Sequence, residues 1–339
     1  MKKLFTIAII LVLVSSLLVG CTPKAEEFDI EKLVVLFVPS RNPESITNAT
    51  GPLKKLLKDE LAKHDINVGE VDIQVGSSYE AVGDALSAGS AHVGFIPGGT
   101  YVLYDEDVDV ILTATRAGLN KDSENAKDWN DGKPTEGIDE QVTYYRSLFI
   151  VGPSEKGQAL LKKVNDGEAI TAEELKELSW ALSNSSSSSG YIYPAAYLYN
   201  NYDLKVSDIP NKVQIKSYGD KLGRLASGQV DVVTAYADAR RDYIKEWTSD
   251  FGREKSIWEE TGIIAVTEKV YNDTVSVSKT NEEVTPELIT ALQEAFQNIV
   301  KDEEGAKVLK IYSHSGYKVA KSEDYDSHRQ AQEFVKSIK

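Results

Sequence analysis

Along this chain, short unbroken apolar runs alternate with stretches whose apolar positions recur at helical spacing. LVVLFV at 33–38 reads as a buried strand. In GPLKKLLKDELAKH, Leu53, Leu56, Leu57 and Leu61 line one face of a predicted helix with lysines opposite. VDIQV (71–75) is a strand, and YEAVGDALSAG is a helix with Val82, Ala85 and Leu86 inward and Gly89 as its stop. HVGFI (92–96) and VDVILTA (108–114) add two more strands. The alternation predicts an α/β unit with a mainly parallel sheet covered by helices on both faces.

The pattern breaks from Gly118 to Val142, where polar and turn-forming residues predict a long loop. YYRSLFIV (144–151) starts a second α/β unit, which includes a capping box at Thr171 and Glu174. VQI (213–215), GDKLGRLASG and VDVVTAY (230–236) continue it. A strand-like run, Thr274 to Ser278, precedes a helix opening at Thr285-Pro286, with Leu288, Leu292, Phe296 and Ile299 on its apolar face. That helix most simply packs back on the first unit. The expected architecture is two α/β lobes joined by two crossovers around a cleft: lobe 1 from 31–143 and 278–339, lobe 2 from 144–277.

The first 20 residues, MKKLFTIAIILVLVSSLLVG, read as a secretory leader outside the fold. Cys21 follows Leu18-Val19-Gly20 in a pattern similar to the bacterial lipobox, and no second cysteine exists to pair with it. The expectation is a lipid-anchored protein on the outer face of a cytoplasmic membrane, with 21–30 as a polar tether. The competing reading is a plain membrane anchor. Removing the leader's two lysines takes the formal net charge from −15 to −17. Nucleic acid is a poor partner for such a surface. An anionic ligand would have to be selected by local hydrogen bonds rather than by the overall field.

Catalytic and metal-binding signatures are missing: no G-x-x-x-x-G-K-[ST], H-E-x-x-H, C-x-x-C or G-x-S-x-G. The four histidines (His64, His92, His314, His328) lack ligand spacing and read as surface or structural residues. Five consecutive serines, Ser185 to Ser189, stand between a short apolar run, Trp180-Ala181-Leu182, and a predicted helix carrying Ile192, Ala195, Ala196 and Leu198. Hydroxyls and free N–H groups at a helix start suit an anion; a mobile serine-rich turn is the alternative. No base is nominated to activate a serine nucleophile. VPSRNPES (38–45), Tyr79 after Gly76-Ser77-Ser78, and Gly98-Gly99-Thr100 each follow a strand, where α/β folds gather their ligand sites.

VPSRNPES, SSYEAVGDALSAGSAHVGFIPGGTYVLY, YYRSLFIV, SSSSSGYIYPAAYL and GQVDVVTAYADARRDY, in that order, resemble successive blocks of the substrate-binding proteins of phosphonate ABC transporters. The resemblance implies the type II periplasmic-binding-protein fold, closing on its ligand like a hinge, with no enzyme activity, cofactor or metal. It implies that Ser187, Ser188 and Ser189 hold the phosphonate oxygens while Tyr79 and Tyr145 reach the ligand. Asp238 and Asp273 match positions where members that bind 2-aminoethylphosphonate place acids around the ammonium. Neutral donors would then suffice for the anion, without a buried arginine. For the two tyrosines the competing reading is core or rim packing, for Asp238 a helix cap or first-turn acid, and for Asp273 a turn residue.

The sequence departs from the family in placing Ser188 where threonine is usual, aspartate at 238 where glutamate occurs, and a longer loop at 118–142. That loop either covers the cleft entrance, with Trp129 as a contact, or is ordinary surface. The implied partners are a small phosphorus oxyanion, an ABC permease and its ATPase, and the membrane through the lipid anchor, with the protein itself a monomer. Alternatives are an inorganic phosphate or phosphite binder, a lipid-anchored serine hydrolase, and a ligand-sensing partner of a membrane receptor.

Overall fold

A computed structural model describes residues 29–338; the leader and Cys21 lie outside the described residues. The strands of the first half are β1 (Ile30–Phe37), β2 (Val68–Val75), β3 (Val93–Ile96), β4 (Val108–Leu119), β5 (Gly137–Val142) and β6 (Tyr144–Val151). The second half adds β7 (Trp180–Leu182), β8 (Lys212–Gln214), β9 (Val232–Tyr236), β10 (Gly262–Tyr271), β11 (Thr274–Ser278) and β12 (Gly316–Val319). They form two sheets. One runs β12-β4-β11-β3-β1-β2 with β5 paired to β4, and the other runs β10-β6-β9-β7-β8.

Each sheet is mixed rather than mainly parallel. β1 pairs in parallel with β2 and β3, as β7 does with β8 and β9, because helices return the chain between them. The antiparallel partners, β11 against β3 and β4 and β6 against β9 and β10, are strands that enter from or leave for the other lobe. The second crossing falls at Asn272-Asp273, between β10 in one sheet and β11 in the other, so Thr274–Ser278 belongs with lobe 1 rather than lobe 2. Each lobe buries its own apolar core, and the helix Pro286–Ile299 packs Leu288, Leu292, Phe296 and Ile299 into the first. The terminal helix Asp326–Ser337, expected with lobe 1, places Val335 in the lobe 2 core and packs Phe334 edge-on against Tyr199.

The 118–142 segment is not one long loop. β4 continues through Leu119, residues 126–129 form a short helical turn, and β5 pairs back on β4. β5 is exposed along almost its whole length, so GIDEQV carries no alternating apolar face that would announce a strand. Trp129 is buried in the lobe 2 core, its Nε1 donating to Ser123 O; it does not line the cavity beside the serine turn but a neighbouring one that shares Arg116 and Tyr145.

Candidate functional site

The loop after β7 is built by short-range bonds. Ser187 N–H donates to Asn184 O, Ser183 N–H to Gly190 O, and both Tyr191 and Ile192 N–H to Ser187 O, which makes one wide turn before the helix Tyr193–Tyr202. Ser187 Oγ accepts from Gly190 N–H at 3.2 Å, and Ser188 Oγ accepts from Gly99 N–H at 2.9 Å. Both hydroxyls therefore keep their own proton to donate. The N–H groups of Ser188 and Ser189 have no acceptor among the described residues.

These serines face a cavity of about 50 Å³ between the lobes. Lobe 1 contributes Val38, Ser40, Arg41, Tyr79, Pro97, Arg116 and Tyr312; lobe 2 contributes Tyr145, Ser187–Ser189, Tyr218 and Tyr236; Asp273 enters from the second crossover. A water needs roughly 10–15 Å³ on this measure, so the space suits a group of few heavy atoms. Tyr79 opens the helix Tyr79–Ser87, whose N-cap Ser78 accepts from Ala81 N–H, and its hydroxyl has no protein partner among the described residues. Tyr218 likewise opens a helix capped by Ser217, and its hydroxyl lies 2.9 Å from Ser189 Oγ. Burial pushes the phenols of Tyr79, Tyr145, Tyr218 and Tyr236 above their ordinary range, so all four stay protonated donors at neutral pH.

Two guanidiniums complete the wall. Arg116, on β4, lies 4.4 Å above the Tyr145 ring, donates from Nε to Asn272 Oδ1 at 2.9 Å and from Nη1 to Asp238 Oδ2 at 3.1 Å. Arg41 donates to Asp242 Oδ2 at 2.6 Å and sits over the Tyr243 ring. Asp273 is the carboxylate of the lining. Burial pushes its pKa up, but His314, 3.8 Å away, together with the Arg116 charge outweighs that and holds it below the usual carboxylate range. Burial lowers His314, which is neutral at neutral pH. The arrangement can hold a compact oxyanion by hydroxyls, N–H groups and the two fixed guanidiniums, with a carboxylate to accept a hydrogen bond from it.

The model for the ABC transporter phosphonate periplasmic substrate-binding proteins matches residues 35–325. The chain belongs to this family. Its members are binding components of importers, not enzymes. No curated protein matches the sequence. The fold is that of a binding-protein component of the phosphonate ABC transporter of Pseudomonas aeruginosa, with a TM-score of 0.64 at 15% identity over 91% of this chain and 88% of that one. PhnD1 of Prochlorococcus marinus, solved with methylphosphonate, gives 0.62 at 15% identity over 90% and 98% of the two chains. XAC2383 of Xanthomonas citri, solved with ATP, gives 0.61 at 15% identity over 91% and 98%. What these share with the present family member is the two-lobed type II fold.

Of the residues singled out in the sequence, Tyr79, Tyr145, Ser187, Ser188, Ser189 and Asp273 come together in this family member around one cavity. Asp238 does not join them. It is fully buried behind Arg116, and its other oxygen accepts from Arg241. Sequence reasoning missed Arg41, Arg116, Tyr218, Tyr236 and Tyr312. Arg41 and Tyr236 stand inside blocks that carry the family resemblance, and Tyr218 follows a capping serine, so those three left a signal. Arg116 left none: it extends the apolar run of β4, and only the strand's register against its neighbours aims it at the cleft.

Proposed function

We propose that this binding protein captures a small phosphonate without a cationic tail, or a phosphorus oxyanion of the same size, and delivers it to an ABC permease and its ATPase. One observation carries the reading: the site is a cavity of about 50 Å³ beside the serine turn, where Asp238 is already engaged by Arg116 and Arg241 and the lining carboxylate, Asp273, lies in the field of the same Arg116. A resident guanidinium thus takes the place of a ligand's cation. Ser187, Ser188 and Ser189 would hold three oxygens with Tyr79 and Tyr145. Asp273 would accept a hydrogen bond from the remaining hydroxyl of a singly protonated oxyanion, which favours phosphorus over a fully ionised sulfur acid. The leader and Cys21 support a lipid anchor on the outer face of the cytoplasmic membrane, and the crossovers at 118–144 and 272–273 support hinge closure. Inorganic phosphate or phosphite is the second reading, since either fits the same volume.

Calorimetric titration of the soluble chain beginning after Cys21 tests this with methylphosphonate, 2-aminoethylphosphonate and phosphate. Methylphosphonate is expected to bind at least tenfold more tightly than the aminated ligand. A preference for 2-aminoethylphosphonate would show that Asp273 serves an ammonium and would overturn the assignment. Tighter binding of phosphate would favour the second reading, and silence from all three would remove the ligand class.

A further inference from the structure

Behind the serine turn lies a group that the binding site does not use. Lys221, in the first turns of the helix Tyr218–Ala226, has none of its surface exposed. Its Nζ donates to Thr234 O, lies 2.8 Å from Ser183 Oγ and 4.3 Å from the centre of the Tyr218 ring. No carboxylate pairs with it among the described residues, although an unpaired buried ammonium is costly.

Each of these partners also touches the turn. Ser183 N–H and Thr234 Oγ1 both donate to Gly190 O, the latter at 2.7 Å. Tyr218 Oη lies 2.9 Å from Ser189 Oγ and 3.4 Å from Ser187 Oγ. The pocket of Lys221 satisfies either charge state. A neutral amine donates to Thr234 O and accepts from the Ser183 hydroxyl; an ammonium donates to both and faces the Tyr218 ring. The other titratable groups near it are Tyr236 of β9, whose ring meets that of Tyr218 edge-on, and beyond Tyr236 the Asp242–Arg41 pair; Tyr243 packs on the same helix at Gly219.

We propose that Lys221 is a positioning residue that links capture of the oxyanion to uptake of one proton from solvent. Negative charge in the serine cradle, one residue away through Ser183, Tyr218 and the turn backbone, stabilises the ammonium that the empty site disfavours. Burial lowers the Lys221 pKa well below that of an ordinary lysine, which leaves room for the bound anion to raise it again. The inference rests on the reading of the serine turn as an oxyanion cradle.

The test titrates methylphosphonate into the wild type and into Lys221→Met between pH 6 and 9, in buffers of different ionisation enthalpy. Methionine fills the space without a desolvated amine, so the variant is expected to keep or gain thermal stability. Protons released or taken up by the ligand itself are common to both proteins and cancel in the difference. The wild type should take up close to one proton more than the variant. Over the pH interval where this happens, its Kd should rise about tenfold per pH unit relative to that of the variant. Equal proton counts and parallel pH profiles overturn the proposal, as does a variant weakened by the same factor at every pH, which would mark a purely structural role. If neither protein binds any phosphorus oxyanion, the cradle reading fails and the proposal falls with it. If both bind, the cradle stands whatever the proton count.

Discussion

Asp238 serves two guanidiniums with one carboxylate. Arg116 Nη1 donates to one oxygen at 3.1 Å and Arg241 to the other, and the carboxylate has no exposed surface. Removing one member of such a buried set leaves the others desolvated without compensation, typically at about 3–5 kcal/mol. Asp238→Asn is therefore expected to lower the midpoint of urea unfolding by a corresponding amount and to weaken every oxyanion by loosening Arg116, without changing the order of ligands. A variant as stable as the wild type, with a new ligand preference, would instead give Asp238 a direct role in selection. The sequence showed an acid at this position but not its partners. Arg116 lies 122 residues away on another lobe's strand, and a long-range ion pair of this kind leaves no local spacing to read.

The serine turn is legible because its chemistry is local. Strand, hydroxyl-rich turn and helix follow one another within about twenty residues, and short-range bonds from Asn184 to Ile192 fold it. Packing, however, sets its shape. A Cβ on Gly190 would stand 2.1 Å from Ser183 Oγ, 2.3 Å from Ser183 Cβ and 2.7 Å from Ser187 Oγ, with no flexible side-chain end able to yield. Gly190→Ala must open the turn, at roughly 1–3 kcal/mol for overpacking, and is expected to weaken methylphosphonate at least tenfold while the rest of lobe 2 keeps its circular dichroism. Unchanged affinity would mean that the turn does not hold the anion. β5 shows the opposite case. Its residues are exposed on both faces, so hydrogen bonding to β4 specifies the strand and the side-chain pattern does not. The mixed sheets were hidden for a related reason: strand direction depends on which lobe the chain has just left.

At the scale of the molecule, the lobes are joined by contacts that need no ligand. Glu80, in the first turn of a lobe 1 helix, accepts from Ser186 Oγ at 2.8 Å and from Asn184 Nδ2 at 3.0 Å. Thr100 Oγ1 donates to Ser186 O, Tyr218 N–H to Ser40 O, and Lys216 Nζ to Ser77 O. Close approach at Gly99 requires a residue without a Cβ, since a Cβ there would strike Ile192 Cδ1 at 2.4 Å. Burial pushes the Glu80 carboxyl up, but backbone and hydroxyl donors outweigh it and keep the group below its ordinary range, so it is an ionised acceptor at neutral pH. The described conformation thus has the lobes in contact, held partly by a carboxylate that grips the same turn the ligand would use. Under the proposed hinge closure a ligand binds this closed arrangement, so its apparent Kd is the intrinsic value divided by the closed fraction. Glu80→Ala removes bonds worth about 1 kcal/mol in net terms. It is expected to weaken methylphosphonate and phosphate by the same factor, at most about fivefold, because it acts on closure and touches neither ligand. Small-angle scattering should show the unliganded variant more expanded than the unliganded wild type, with both contracting to the same radius when saturated. Unequal losses for the two ligands would place Glu80 in recognition, and no loss at all would mean that the other interlobe bonds hold the lobes shut without it.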